Sequence, residues 1–122
     1  MADFVRDVFL AFARVHVLHH ANEERIFGVG MMKELARHGY RLGPGTLYPL
    51  LHRLETDGLL TSETSVVAGK SRKYYVITPK GRLALRKIRP KLSELVREAL
   101  PSDSAPTRPR PSADAAGAEV RT

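Results

Sequence analysis

The chain has 122 residues, which is enough for one domain of ordinary size and a short extension. Hydrophobic residues make up 43% and charged residues 27%, the balance of a soluble globular protein. The formal net charge of +7 favours a polyanionic partner, because each Lys or Arg placed on a phosphate releases a condensed counterion. A merely basic soluble protein remains the alternative. Since the chain contains no cysteine, disulfides, thiolate catalysis and Cys-type metal sites are excluded.

Nothing in the chain resembles a membrane span or a targeting segment. The most apolar stretch, residues 4–18, is short and carries Arg6, Asp7 and Arg14. The first residues lack the basic start and the small-residue cleavage site of a signal peptide. We therefore expect a cytoplasmic protein with no membrane partner.

Two helices are predicted in the first third of the chain. Apolar residues recur at helical spacing over about residues 4–20, on two faces of the helix. A helix that is apolar on two sides usually packs against two neighbours, here the core of its own chain and a partner subunit. Phe12 is therefore a candidate for contact with a partner subunit. A second helix is predicted at about 27–38, where Gly39 is placed to end it.

The third predicted helix follows residues 43–46 and ends before Gly58, and it carries the most informative surface. An apolar stripe recurs at i, i+3, i+4 and i+7, formed by Leu47, Leu50, Leu51 and Leu54. The outer face is then formed by Thr46, Tyr48, Pro49, His52 and Arg53. These hydroxyl, aromatic, imidazole and guanidinium groups suit the major groove of DNA. An ordinary amphipathic helix remains the alternative.

Two strands are predicted next, at 59–67 and 72–78, joined by a turn at 68–71. From Thr64 to Ser93 no residue is acidic, and the basic residues are Lys70, Arg72, Lys73, Lys80, Arg82, Arg86, Lys87, Arg89 and Lys91. Alternation along the second strand predicts that Tyr75 and Ile77 face inward, while Arg72 and Tyr74 face nucleic acid. A solvated basic hairpin remains possible.

A fourth helix is predicted at about 79–99, capped by Thr78 with Pro79 at its first position. Its apolar residues follow heptad spacing and are Leu85, Ile88, Leu92, Leu95 and Ala99. A single helix after a hairpin has little of its own domain left to pack on, so we expect this seam to form a dimer interface. Packing against the first helix of the same chain is the alternative.

The composition changes at Leu100–Pro101. Residues 101–122 are rich in proline, Val120 is their only large aliphatic residue, and their arginines and acidic residues cancel. Such a segment cannot bury enough apolar surface to offset its ordering entropy. We therefore expect a folded unit over 1–100 and a disordered tail over 101–122.

Catalytic and metal-binding motifs are weak. No Ser-His-Asp order, glycine-rich phosphate loop or paired-carboxylate motif is visible, so an enzyme is not expected. His16 and His20 are four residues apart on the first helix, with His19 and Glu23 nearby, but further converging ligands are not visible. These histidines are interpreted as surface or interface residues, and no metal or cofactor is predicted.

The elements predict a mainly α fold with a small β-hairpin wing, namely a winged helix-turn-helix with a C-terminal dimerisation helix. Its motifs resemble the PadR family of bacterial regulators at Pro44-Gly45-Thr46-Leu47-Tyr48-Pro49-Leu50-Leu51, Arg53-Leu54-Glu55, Gly58-Leu59-Leu60, Gly69, Arg72-Lys73-Tyr74-Tyr75, Ile77-Thr78 and Gly81. A winged-helix module that binds RNA or protein is the competing interpretation.

The resemblance implies a homodimer that represses transcription at near-palindromic operators on duplex DNA, often relieved by a small molecule. It implies that the third helix enters the major groove and that the wing touches the backbone through Lys70, Arg72 and Lys73. Two features depart from the family pattern. The second helix opens with Phe27-Gly28-Val29-Gly30 where many members have His-Gly-Tyr-Glu, and Leu92 stands nearest to the aromatic with which some compact members stack flat drugs.

Overall fold

The computed structural model describes residues 2–101, which form four helices and three strands. The helices are α1 (Ala2–Glu23), α2 (Gly28–Arg37), α3 (Pro44–Thr56) and α4 (Pro79–Ala99). The strands are β1 (Ile26–Phe27), β2 (Leu60–Val67) and β3 (Lys70–Ile77), which form one antiparallel sheet in the order β1-β3-β2. Along the chain the order of the elements is α1-β1-α2-α3-β2-β3-α4. The predicted mainly helical fold with a hairpin wing is thereby confirmed. The predicted tail, apart from residue 101, lies outside the described residues.

The strand β1 is the element that the sequence did not predict. Its two residues pair with β3, so that Ile26 lies opposite Tyr75 and Phe27 lies opposite Tyr74. The wing is therefore the outer part of a three-stranded sheet whose third strand comes from the segment before α2. This strand ties the start of the helix-turn-helix to the base of the wing.

The core lies between α1, α2, α3 and the base of the sheet. All four leucines of the predicted α3 stripe are buried, and Leu47 and Leu51 are completely enclosed. They meet Val17 from α1 and Leu35 from α2, with Tyr75 and Ile77 from β3 facing inward as predicted. Truncation of one such leucine to alanine typically costs about 2–5 kcal/mol of stability.

The turn between α2 and α3 has a defined hydrogen-bond pattern. The Tyr40 amide donates to the Leu35 carbonyl at 2.8 Å, and the Gly39 amide donates to the Ala36 carbonyl at 3.0 Å. Gly39 has a φ of +91°. This is a Schellman motif, in which glycine takes the left-handed position, and it ends α2 at the residue that the sequence predicted.

The start of α4 is held against residues 58–59, the segment between α3 and β2. The Thr78 hydroxyl accepts a hydrogen bond from the Gly81 amide at 3.0 Å and donates to the Gly58 carbonyl at 2.6 Å. This confirms the predicted cap. A Cβ at Gly81 would overlap the Leu59 carbonyl oxygen and the Ile77 side chain, so only glycine allows this approach.

The first turns of α4 correct the predicted dimer seam. Leu85 is only 2% exposed and belongs to the core of its own chain, so its assignment to a dimer interface is wrong. Heptad spacing indicates that one face of a helix is buried, but it does not indicate whether the same chain or a partner subunit covers that face. Ile88 is half-buried.

Residues 92–101 belong to a second structural unit that begins at Leu92. Its helical part, the last turns of α4, exposes most of its apolar side chains, including Leu95, Val96, Ala99 and Leu100, whereas Leu92 is half-buried. The Arg97 guanidinium donates to the Ser93 hydroxyl at 2.9 Å.

Gly81→Ala should destabilise the protein despite the better helix propensity of alanine. Its methyl group meets backbone at Leu59, which cannot move aside as a flexible side chain can, and overpacking of this kind costs roughly 1–3 kcal/mol. The matched control is Gly45→Ala in the first turn of α3, where the added methyl group meets nothing within 4 Å and should stabilise by about 0.4–1 kcal/mol. Urea unfolding measures both, and equal stability of Gly81→Ala and the wild type would contradict the close approach.

Candidate nucleic-acid interface

The outer face of α3 is exposed as the leucine stripe requires. Because Leu47, Leu50, Leu51 and Leu54 point into the core, the side chains of Pro49, His52 and Arg53 are exposed and Thr46 is half-buried. Tyr48 is 41% exposed. Between Gly43 and Leu54 this surface carries no acidic side chain.

Tyr48 is positioned by a glycine that the sequence analysis did not connect to it. A Cβ at Gly28 would overlap the Tyr48 ring and its hydroxyl, so the ring lies directly on the first residue of α2. The ring is thereby partly covered, although the residue as a whole remains exposed. The sequence signal for this contact was Gly28 itself, within the Phe-Gly-Val-Gly segment that differs from the family pattern. The contact joins residues twenty positions apart, so the sequence alone did not reveal it.

Arg53 has a partner within its own helix. Its Nε donates to both carboxylate oxygens of Asp57 at 3.2 and 3.3 Å, and the guanidinium remains mostly exposed. An exposed i,i+4 pair contributes only about 0.3–0.5 kcal/mol, so an external anion can compete for the guanidinium. Arg53 lies at the end of α3, away from the groove described next.

A groove joins the outer face of α3 to the base of the wing. It is lined by Phe27, Gly28, Val29, Tyr48, His52, Ser71, Arg72, Lys73 and Tyr75. Four predicted contact residues, Tyr48, His52, Arg72 and Lys73, therefore share one surface. Thr46, Pro49, Arg53 and Lys70 are outside its lining.

The wing ends in a two-residue turn, shorter than the predicted one. Val67 pairs directly with Lys70, and the central residues Ala68 and Gly69 have φ values of +53° and +78°. Two positive φ values identify a type I′ turn, which matches the right-handed twist of a hairpin. Lys70 is consequently exposed beside the tip of the wing.

The two basic residues at the base of the wing are held in place by different contacts. The Arg72 guanidinium lies over the Phe27 ring, with its carbon 4.3 Å from the ring centroid. The Lys73 ammonium lies 5.2 Å from the centroid of Tyr75 and 3.9 Å from Glu55 Oε1. Arg72 is thus oriented by an aromatic platform, whereas Lys73 already has a nearby carboxylate.

Tyr74 does not face nucleic acid, and this prediction is wrong. The residue is 8% exposed, because β1 pairs with the outer edge of β3 and brings the Phe27 and Arg25 side chains onto its ring. Its ring meets Phe27 edge to face at 5.6 Å, and the Arg25 guanidinium lies 3.8 Å from its centroid. Arg25 in turn donates to Glu63 on β2 at 3.0 Å. We call the series Arg25, Tyr74, Phe27 and Arg72 the cation–aromatic stack.

No helix within residues 2–101 is long and apolar enough to cross a bilayer.

Known proteins resemble this chain in both sequence and structure. Residues 17–87 match the Transcriptional regulator PadR-like family. Over 100 residues the chain is 52% identical to the transcriptional regulator Rv3488 of Mycobacterium tuberculosis, which covers 82% of this chain and 94% of that protein.

Two solved structures have the same fold. A PadR-like transcription factor from Bacteroides fragilis has a TM-score of 0.67 and 27% identity, covering 78% of this chain and 93% of its own. A PadR family transcriptional regulator from Eggerthella lenta has a TM-score of 0.63 and 35% identity, covering 79% of this chain and 88% of its own. These relatives are transcriptional regulators and not enzymes. From the family match over most of the winged helix, the identity to these relatives and the shared fold, the chain belongs to the PadR-like family of transcriptional regulators.

Proposed function

We propose that this regulator binds duplex DNA in a sequence-specific manner, as a homodimer, through residues 1–100. The groove between α3 and the wing is the observation that carries the proposal, because it places Tyr48, His52, Arg72 and Lys73 on one surface. A phosphate backbone following this groove would meet the cations of the wing while base edges face the exposed part of α3.

The two sides of the groove have different roles in this proposal. The outer face of α3 reads bases, since imidazole, hydroxyl and guanidinium groups donate to the edges that the major groove exposes. The wing anchors the complex, with Lys70 at its tip and Arg72 and Lys73 at its base contacting phosphates. Tyr74 is not part of the proposed interface, because it is buried in the cation–aromatic stack.

Exposed apolar side chains support the homodimer. The first half of α1 exposes Phe4, Val5 and Phe9, and Phe12 in the next turn is half-buried. The last turns of α4 independently expose Leu95, Val96 and Leu100. Several large apolar side chains exposed on one helix segment favour an interface, and each of these two segments has such a group. We propose that Phe12, Ile88, Leu92, Leu95 and Ala99 contact the partner subunit.

Symmetry connects the dimer to its operator. A two-fold dimer presents two α3 helices in inverted orientation, so its operator is a near-palindrome with half-sites about one helical turn apart. We further propose that the bound dimer represses transcription and that a small molecule releases it, which is the behaviour that the resemblance implied.

The dimer is tested by Leu95→Glu, with Ser93→Glu as the matched control. Both changes add one carboxylate to the same turn of α4, but only position 95 lies on the proposed seam, where a buried charge is costly. We expect sedimentation equilibrium at micromolar concentration to show dimer association weakened at least about tenfold for Leu95→Glu and little changed for Ser93→Glu. A monomeric wild type, or equal masses for both variants, would end the dimer proposal.

A salt titration distinguishes base reading by α3 from phosphate anchoring by the wing. His52→Ala should change which operator bases are tolerated and should cost roughly 1–3 kcal/mol of binding free energy. Arg53→Ala should have the same effect if the Arg53 guanidinium exchanges Asp57 for a base in the complex. Lys70→Ala and Arg72→Ala should weaken all duplexes alike. Each should also reduce the slope of log affinity against log salt by about one, because each phosphate contact releases about one counterion.

The control for that titration is Arg14→Ala, since Arg14 is exposed on α1 and lies outside the groove. Its salt slope should equal that of the wild type. The assignment of base reading to α3 and phosphate anchoring to the wing fails if the wing variants keep the full salt slope. It also fails if the α3 variants lose affinity for the operator and for scrambled DNA to the same extent.

The cation–aromatic stack makes a separate prediction about Phe27. Phe27→Leu removes the platform under Arg72 but keeps its charge, so affinity should fall about two- to fivefold, the value of an exposed cation–π contact, without a change in salt slope. Phe27→Tyr should retain wild-type affinity. In an Arg72→Ala background, Phe27→Leu should have no additional effect. An equal loss in both backgrounds would show that Phe27 acts on binding without Arg72.

A further inference from the structure

Three imidazoles from distant parts of the sequence meet beside the helix-turn-helix. His16 and His20 lie one turn apart on α1, and His38 follows the last residue of α2. Each offers a ring nitrogen, and the three nitrogens lie within 4.8 Å of one another. The ring centroids of His16 and His38 are 4.9 Å apart, and those of His20 and His38 are 6.1 Å apart.

A carboxylate from α2 faces two of these rings. Glu34 Oε2 lies 3.2 Å from Nε2 of His38 and 3.6 Å from Nε2 of His20. The Nε2 atom of His20 is buried and has no hydrogen-bond partner within residues 2–101. A buried ring nitrogen without a partner is a polar group whose desolvation is uncompensated. It is directed toward the same carboxylate oxygen that His38 uses.

Burial disfavours the charged form of one member of the cluster. Burial, followed by the neighbouring His38, His20 and His19 rings, lowers the pKa of His16. Tyr40 packs beside His16 with the ring centroids 5.1 Å apart, and burial raises the pKa of its hydroxyl. A neutral imidazole has a free lone pair, which is what a metal ion requires.

We propose that His16, His20 and His38, with the Glu34 carboxylate as fourth ligand, bind a divalent transition-metal ion of the zinc or nickel class. Three imidazoles and one carboxylate suit these ions and do not suit Mg²⁺, which prefers oxygen ligands alone. Ligand atoms around tetrahedral zinc are about 3.4 Å apart, since each lies about 2.1 Å from the metal. Side-chain rotations of half-buried or exposed histidines close the remaining distance.

A second group of potential ligands competes with this one. His19, His20 and Glu23 also place their ligand atoms within 4.8 Å, but all three belong to α1 and two of them share an ion pair at 3.6 Å. His20 belongs to both sets, but the set with His38 is favoured because Glu34 faces two of its rings and because it joins two elements. A metal there fixes α1 to the end of α2, next to the Gly39–Tyr40 turn that leads into α3.

The test uses the full chain without a histidine tag, stripped of metal by a chelator and titrated with ZnCl₂ or NiCl₂ in a calorimeter. We expect one ion per chain and a melting temperature that rises with metal concentration, because a ligand that binds only the folded state stabilises it. MgCl₂ should produce neither effect. This outcome does not depend on DNA binding, so the metal proposal and the DNA-binding proposal can fail separately.

Histidine variants locate the site. His38→Gln and His16→Gln should each weaken Zn²⁺ binding at least about tenfold, whereas His19→Gln should not, and circular dichroism confirms that each variant is folded. His52→Gln is the control for metal affinity, since His52 lies on α3 outside the cluster. Absence of Zn²⁺ and Ni²⁺ binding to the wild type would overturn the proposal. So would loss of binding in His19→Gln with retention in His38→Gln, which would assign the metal to the group on α1.

Discussion

Burial of the α3 leucine stripe is the interaction on which the proposed interface depends. Leu47 and Leu51 are completely enclosed between α1, α2 and the sheet, and this fixes the rotation of α3 about its own axis. With that rotation fixed, Tyr48 and His52 face the wing. A turn of the helix by one residue, about 100°, would bury polar groups and expose leucines, so the core and the binding face specify each other. The Schellman turn at Gly39 adds a fixed entry direction for α3.

A second constraint comes from β1, which makes the wing part of the folded core. Without β1, a hairpin of two strands would have a free edge at β3 and little to hold its orientation. Pairing of β1 with β3 instead satisfies that edge and places Phe27 beside Tyr74, which builds the cation–aromatic stack that ends on Arg72 in the groove. The same segment places Gly28 under Tyr48. Residues 26–28 therefore connect both sides of the groove, although none of them belongs to α3 or to the hairpin.

The sequence predicted those features that depend on local spacing. The α3 stripe, the Thr78 cap and the end of α2 at Gly39 each have a short-range signal, and the structure has all three. The strand β1 was missed because two residues show no periodicity. The errors at Tyr74 and Leu85 have one cause, since spacing shows which residues share a face and cannot show what covers that face. The cluster around His38 was not visible for a related reason: its residues come from α1 and from the C-terminal end of α2, and the packing of these two elements is a tertiary property.

The central claim is that two copies of α3 read bases in a symmetric dimer while the wings hold the backbone. Selection of bound sequences from a random pool of duplexes, using the purified full chain, tests this claim most directly. The account predicts enrichment of an inverted repeat whose half-site centres are about 10 base pairs apart, or a multiple of that spacing, because the two reading helices must enter the groove on one side of the duplex. Recovery of sequences with no shared motif, or of a single asymmetric site without a second half, would contradict it.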